Sequence, residues 1–475
     1  MNKRNLSIWL FIIALIFILI IRDLFRIGMF MDGMIYTSVG KNLANDIGTF
    51  WQPHFSKTLM PSYHEQPPLM FGIVSIFFKL FGNNHHTEHI YGLTVLLLTI
   101  FLIHKLWTTI FTDQAEKTVS WLPVLFLLAI PVCFWSYANN MEEPLMGMFD
   151  LASLFFIFKA LIQKKKIYLN LILGAIMLIA ASMCKGAQGL FPLAAVFLYW
   201  AVFQNISFGK MFTYSVVLVG IVVGFYGIIL LNEEASKSYE MYFFNRIYVT
   251  FNNPANTHTD RIYIVKQLFS ELIPVFVLTV GTFLFLRIKK RWSATPSYIS
   301  KTSLLFFLIA LSGTLPLLLT IEQSGYYLVT VMPYYAIGFS IYFAPFFTKY
   351  TAQADIQSKL FKRWRIAVSL ILICSVSFSI AATFAGPKRD VDQLHDVFYT
   401  GKIIEEGNMI GISSDMYDDW VLHAYYNRYF YINLDTLPHE HKYLLLEKDA
   451  DLNLVPKGYS QMNIPTKRYS LFIKK

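Results

Sequence analysis

Five stretches of this sequence place chemically active side chains beside prolines or glycines at the borders of apolar runs. In FMDGMIYTSVGKNLANDIG (30–48), Asp32 precedes a segment where Ile35, Tyr36, Val39 and Leu43 recur at helical spacing. In YHEQPPL (63–69), His64 and Glu65 stand directly before a Pro-Pro pair. ANNMEEPLMGMF (138–149) sets Glu142 and Glu143 before Pro144. SMCKGAQGLFP (182–192) isolates Lys185 among small residues, and FFNRIYVTFNNPANTHTDRIY (243–263) scatters Arg246, His258, Asp260 and Arg261 among aromatics. A carboxylate so placed can take a proton from a hydroxyl or share a metal ion. The cations can hold a phosphate, and Gly186 and Gly189 let such a group approach the backbone.

Each stretch also has a plainer reading. Asp32 is a good helix cap. Glu142 and Glu143 suit a helix N-terminus for dipole reasons. Pro-Pro starts a helix, Lys185 snorkels to an interface, and residues 243–263 form an interfacial loop. What favours chemistry is that all five fall on one face of the chain once its spans are laid out.

That layout follows from composition. The chain has 475 residues, 55% of them hydrophobic and 15% charged, which is too apolar for a soluble globular protein. Apolar runs of about 20 residues recur, the length that crosses a ~30 Å hydrocarbon layer. The net charge of +10 does not indicate nucleic acid, because the Lys and Arg lie in short loops where they set topology. Cys133, Cys184 and Cys374 are far apart and form no ligand or disulfide pattern. Candidate spans are 6–25, 88–111, 119–137, 144–163, 167–183, 187–204, 211–231, 264–287, 302–320, 326–347 and 365–385. Counting 67–82 as a twelfth would turn Lys164–Lys166, RIKKR (287–291) and KLFKRWR (359–365) outward, against the positive-inside rule. Eleven spans keep these loops inside with the N-terminus and make 67–82 an interfacial or re-entrant helix. The expected fold is an all-α polytopic membrane domain over 1–385 with juxtamembrane helices on its outer face. A small outer α/β domain follows over 386–475, with strands at 409–414, 442–448 and the chain end, and a helix at 418–430.

An outer Asp after the first span, a surface helix, a Glu-x-Pro-Pro-Leu turn, an acidic residue before Pro-Leu and a later Lys-Gly turn resemble the GT-C glycosyltransferases. Among these, the pattern is similar to the bacterial dolichyl-phosphate-mannose-protein mannosyltransferase-like and aminoarabinose-transferase-like enzymes, over roughly residues 5–345. The resemblance implies inverting sugar transfer from a polyprenyl-phosphate donor to a lipid, glycan or protein acceptor on the periplasmic side of a bacterial inner membrane. Asp32 matches the catalytic Asp, the base for the acceptor hydroxyl, and Glu143 the second acidic residue, with Glu142, Tyr36 and His64 in support. Lys185, Arg246 and Arg261 are implied to meet the donor phosphate. Glu65, with His258, matches residues that can hold a divalent metal ion. Three departures stand out: Gly33 where a Glu often follows the Asp, Gln66 where a Lys is common, and HTEHIYG (86–92) where an Arg often opens the next span. The competing readings are a transporter or flippase for a lipid-linked saccharide, a non-catalytic scaffold displaying the tail, and a glycan polymerase or ligase.

Overall fold

The computed structural model describes residues 3–112, 114–249, 262–289, 295–320 and 323–475. Its helices are α1 (Arg4–Leu24), α2 (Met31–Ala44), α3 (Leu69–Phe81), α4 (Thr87–Ile110), α5 (Leu122–Leu128) and α6 (Pro131–Ala138). Then come α7 (Glu142–Gln163), α8 (Ile167–Lys185), α9 (Ala195–Phe203), α10 (Phe208–Ile229), α11 (Glu233–Tyr242) and α12 (Tyr263–Ile288). The last are α13 (Ser297–Thr314), α14 (Met332–Gln353), α15 (Lys359–Thr383), α16 (Val391–Gly401) and α17 (Trp420–Phe430). Backbone contacts divide the chain into two units: 1–22 with 93–138 and 142–381, and 23–92 with 139–141 and 382–475.

Among the described residues, eight helical stretches are long and apolar enough to cross a membrane, or nine if one bent pair counts as a span. The chain is thus a polytopic membrane protein, with fewer straight spans than the eleven expected. Three local causes account for the difference. The segment 119–137 is not one rod but α5 and α6, bent by 81°. Pro131 opens α6, and the freed amide of Val132 donates to Glu271 Oε2 at 2.7 Å. Residues 167–203 form one helical stretch by length, but the chain reverses inside it. Gly186 has φ +74°, and a Cβ on Gly189 would lie 2.6 Å from the backbone of Ala181. In a straight helix these two residues would be about 12 Å apart. The segment 326–347 begins with a tight turn, Gly325–Thr330, before α14. α14 carries many polar or amphipathic residues, among them Tyr334, Tyr335, Ser340, Tyr342, Lys349 and Tyr350, and it is not among the eight. The 13-residue α3 is about 20 Å long, too short to span.

In the first unit α7 and α8 pack closely, with Gly174 set against Ile157 and the Ser153 carbonyl. Gly147 lies on Thr330 and brings the Gly325–Thr330 turn against α7.

The second unit is built around α2. This helix was expected to be amphipathic and to lie on a surface, yet it is buried continuously from Gly33 to Asn42. Packing on several sides explains this. A column of rings runs Tyr36–Phe71–Tyr63–Phe55–Trp420, with centroids 5.5–6.5 Å apart. Gly40 lets Val74 of α3 approach, and Ser38 Oγ donates to the Ala424 carbonyl of α17 at 3.2 Å. Lys41 Nζ donates to the carbonyls of Asn427 and Arg428, at 2.8 and 3.1 Å, near the end of α17. A cation there satisfies orphan carbonyls and complements the helix dipole.

Arg428 locks α17 to the chain before α4. It is 1% exposed, and its Nη2 lies 2.6 Å from the fully buried Glu88. Its remaining donors reach Asn83 Oδ1 and the Asn84 carbonyl, both at 2.7 Å. Beyond it lies a five-stranded sheet: β1 (Met409–Ile412), β2 (Asn433–Asp435), β3 (Tyr443–Glu447), β4 (Tyr459–Gln461) and β5 (Tyr469–Lys474), in the order β2-β1-β3-β5-β4. The parallel pair β1–β2 uses α17 as its crossover, and β3–β5 and β5–β4 are antiparallel. The edge strand β2 is covered: Lys57 N donates to Asn433 Oδ1, and Thr58 Oγ1 to the Leu434 carbonyl. Asp396 of α16 fastens β5 by accepting the amides of Lys467, Arg468 and Tyr469 at 2.7–2.9 Å.

Two outcomes are expected. Arg428→Met leaves Glu88 buried without its counter-charge and should cost roughly 3–5 kcal/mol, read as a drop in thermal unfolding midpoint. Adding Glu88→Gln should recover much of that loss. Burial, and next the Arg428 guanidinium, lower the Lys41 ammonium from 10.5 to about 7. Between these values the unfolded chain binds the extra proton, so this group makes stability rise with pH across that window. The wild-type gain over pH 7–10 should exceed that of Lys41→Met, measured by denaturation at stepped pH.

Candidate active site

Asp32 is the second residue of α2 and half-buried. The cap position belongs to Phe30, whose side chain makes no capping bond, so the plain helix-cap reading of Asp32 does not describe this terminus. The Phe30 amide instead donates to Asn139 Oδ1 at 2.9 Å, and Asn140 Nδ2 donates to Thr37 Oγ1 at 2.8 Å. The Asn139–Asn140 loop therefore seats on the first turns of α2. Gly33 makes that seat possible, because a Cβ there would lie 1.8 Å from the Asn139 carbonyl oxygen. This explains on packing grounds why no Glu follows Asp32.

Glu65 is half-buried in the turn that enters α3, with Pro68 at the cap position and Leu69 the first helical residue. His64 is buried, its Nε2 at 3.0 Å from Gln52 Oε1 and 3.2 Å from Ser62 Oγ. It knits the loop that carries Glu65. Tyr36 is part of the ring column, 6.0 Å from Phe71. Asp32, Tyr36, His64 and Glu65 thus share one unit, the first two on α2 and the other two in the loop that leads into α3, which packs on α2.

The first unit gathers a second set. Glu142 and Glu143 open α7 and are both fully buried, while Lys185 closes α8 with its side chain 9% exposed. Lys185 Nζ donates to Glu143 Oε1 and stands 3.8 Å from Glu142 Oε2. Its ammonium also lies over the rings of Tyr327 and Tyr326, 4.7 and 5.7 Å from their centroids. Lys185 therefore does not snorkel; it is held inside by two carboxylates and two aromatic faces. The tyrosine turn is fixed by Gln188 Nε2, which donates to the Tyr327 carbonyl at 2.7 Å, and by Trp135 stacked on Tyr326. At Gly186 a Cβ would meet the Tyr242 hydroxyl. The Tyr242 phenol is pushed up to about 12 by burial and by Glu142, against the pull of Lys185 and Arg246. Arg246 lies on the turn Phe243–Tyr248 that follows α11.

Chemically this is a corner in which one buried ammonium is held by two carboxylates and faced by aromatic rings. It offers one ammonium, three phenols and a nearby guanidinium. Tyr242, Tyr326 and Tyr327 were not singled out from sequence. The only signal for Tyr326 and Tyr327 was an aromatic-rich turn, IEQSGYY (321–327), beside the expected outer face, and Tyr242 sits one residue before the stretch 243–263. His258 and Arg261 lie outside the described residues. Among the described residues no group of three His, Cys, Asp or Glu is arranged to hold a metal ion.

Comparison with known proteins agrees with the motifs. The family model for dolichyl-phosphate-mannose-protein mannosyltransferase matches residues 65–228. No curated protein matches the chain by sequence. Among solved structures, ArnT from Cupriavidus metallidurans bound to undecaprenyl phosphate superposes with a TM-score of 0.66 at 12% identity, over 99% of this chain and 98% of that one. The apo state of the same protein gives 0.64 at 13% identity, over 98% and 97%. The apo oligosaccharyltransferase of Archaeoglobus fulgidus gives 0.50 at 11% identity, over 91% of this chain and 64% of that one. The chain has the GT-C fold of these membrane glycosyltransferases and resembles their dolichyl-phosphate-mannose-protein mannosyltransferase and ArnT branch.

Proposed function

We propose that this protein transfers a sugar from a polyprenyl-phosphate donor to an acceptor hydroxyl at the outer face of a bacterial inner membrane. The observation that carries the reading is the buried Glu142–Glu143–Lys185 group with its tyrosine faces, at one end of membrane-crossing helices. The fold shared with an enzyme solved with undecaprenyl phosphate supports it. The outer placement rests on the basic loops at 164–166, 287–291 and 359–365, which the positive-inside rule puts in the cytoplasm.

In this mechanism Asp32 takes the proton of the acceptor hydroxyl as its oxygen attacks the anomeric carbon. The new carbon–oxygen bond forms while the bond to the lipid phosphate breaks, and the electron pair leaves on the phosphate oxygen. One displacement inverts the anomeric centre and yields the glycosylated acceptor and polyprenyl phosphate. Lys185, Arg246 and Arg261 meet the growing negative charge, and the Tyr326 and Tyr327 hydroxyls donate to it. Glu143 orients the ammonium beforehand, which limits reorganisation during the reaction. Glu65, with His258, is where a divalent ion would be held, and it would there add positive charge beside the acceptor.

One observation favours a second reading, a transporter of the same lipid. Asp150 lies eight residues into α7, about 12 Å along its axis. It is fully buried, and neither carboxyl oxygen has a hydrogen-bond partner among the described residues. An intramembrane acid is a functional signal in its own right.

Transfer of labelled sugar in membranes separates these readings. Asp32→Asn should lower transfer by roughly 10²–10⁴-fold at matched expression, and equal rates would remove Asp32 from the chemistry. Lys185→Gln should lower it by about 10²–10³-fold, mostly in kcat. If Asp150→Asn abolished function while Asp32→Asn did not, the transporter reading would replace this one.

A further inference from the structure

The first unit holds a cavity of about 690 Å³ at the far end of α14 from the lysine site. Tyr326 and Tyr327 stand just before the first residue of α14, while Tyr350 and Gln353 at its last turn line the cavity. α14 itself, 22 residues, is about 33 Å long, and α1 and α15, both long and apolar enough to cross the layer, start at the cavity with Arg4 and Leu360. The cavity therefore opens where the helices leave the opposite side of the layer.

Its walls have two characters. Trp121, Phe347, Tyr350 and Trp364 supply aromatic faces, with Trp121 edge-on to Phe347 at 5.6 Å. Such rings suit the interfacial level of a bilayer. Arg4 lines the same space, and α15 points its N-terminus there, with Ser358 Oγ accepting the Phe361 amide. Lys359, Lys362, Arg363 and Arg365 are exposed along the first turns of α15. The one lining acid, Asp355, is exposed and accepts the Gln357 amide at 2.9 Å. The Trp121 indole N–H is buried and has no hydrogen-bond partner among the described residues.

We infer that this cavity binds the phosphate head group of an anionic phospholipid such as phosphatidylglycerol. Arg4 and the α15 terminus meet the phosphate, and the Trp121 N–H donates to a head-group oxygen. The acyl chains run along the aromatic wall and past the exposed Leu360 and Ile366. A small soluble anion would have no use for the aromatic wall, and a zwitterionic lipid would not draw on five cations at the rim.

The test is native mass spectrometry of the full chain in detergent, titrated in parallel with phosphatidylglycerol, phosphatidylcholine and undecaprenyl phosphate. Phosphatidylglycerol should be retained best. Arg4→Gln and Lys362→Gln should each weaken it about fivefold, the equivalent of roughly 1 kcal/mol per interfacial cation. Trp121→Phe keeps the ring and removes the donor, and should weaken phosphatidylglycerol while leaving phosphatidylcholine unchanged. Equal retention of the two phospholipids, or no loss in all three variants, would overturn the proposal. Preference for undecaprenyl phosphate would reassign the cavity to the isoprenoid carrier.

Discussion

A guanidinium that is 1% exposed cannot stay charged in a protein interior without a full set of partners. Arg428 has that set in Glu88, Asn83 and the Asn84 carbonyl. The pairing brings a helix near the chain's end to the residues that start α4, 340 positions earlier. Once α17 is fixed there, its final carbonyls receive Lys41, and its inner face receives Ser38. The buried state of α2, and with it the setting of Asp32, follows from that chain of contacts. The second unit is thus the first long loop and the C-terminal segment folded as one body.

The first unit applies the same electrostatic rule in a different way. Two buried carboxylates and one ammonium leave the corner at Lys185 with an excess of negative charge, before Arg246 is counted. A site so composed holds its cation firmly in place but does not by itself welcome a phosphate. Added positive charge from Arg246 and Arg261 would complete it, so these arginines and the corner act together in the proposed chemistry. The tyrosine faces contribute without adding charge, since each offers a quadrupole to the ammonium and a hydroxyl to an anion.

Much of this was legible in the chain itself. Hydropathy gave the membrane class, and the Glu-x-Pro-Pro turn and Lys-Gly turn pointed to the fold that the structural comparison shows. Strands at 409, 443 and 469 followed from β-branched and apolar runs, whereas β2 and β4, each three residues long, carry too little pattern to stand out. The burial of α2 was hidden because its polar face, Ser38, Lys41 and Asn42, reads as solvent-facing. Its partners, Ala424 to Arg428 and the His54–Phe55 carbonyls, come from distant sequence or from a loop. The partnering of Lys185 by Glu142 and Glu143 was hidden for the same reason: helix ends 42 residues apart meet only through packing of α7 on α8. Even the 81° break at Pro131 depends on Glu271, 139 positions away.

The central claim is that a sugar leaves its lipid phosphate. The most direct measurement follows the covalent fate of a polyprenyl-phosphate sugar in liposomes holding the full chain and a bacterial envelope extract as acceptor source. The account predicts free polyprenyl phosphate accumulating in step with sugar attached to an acceptor, with inverted anomeric configuration. A donor that stays intact but moves from one leaflet to the other would contradict it and identify a transporter instead.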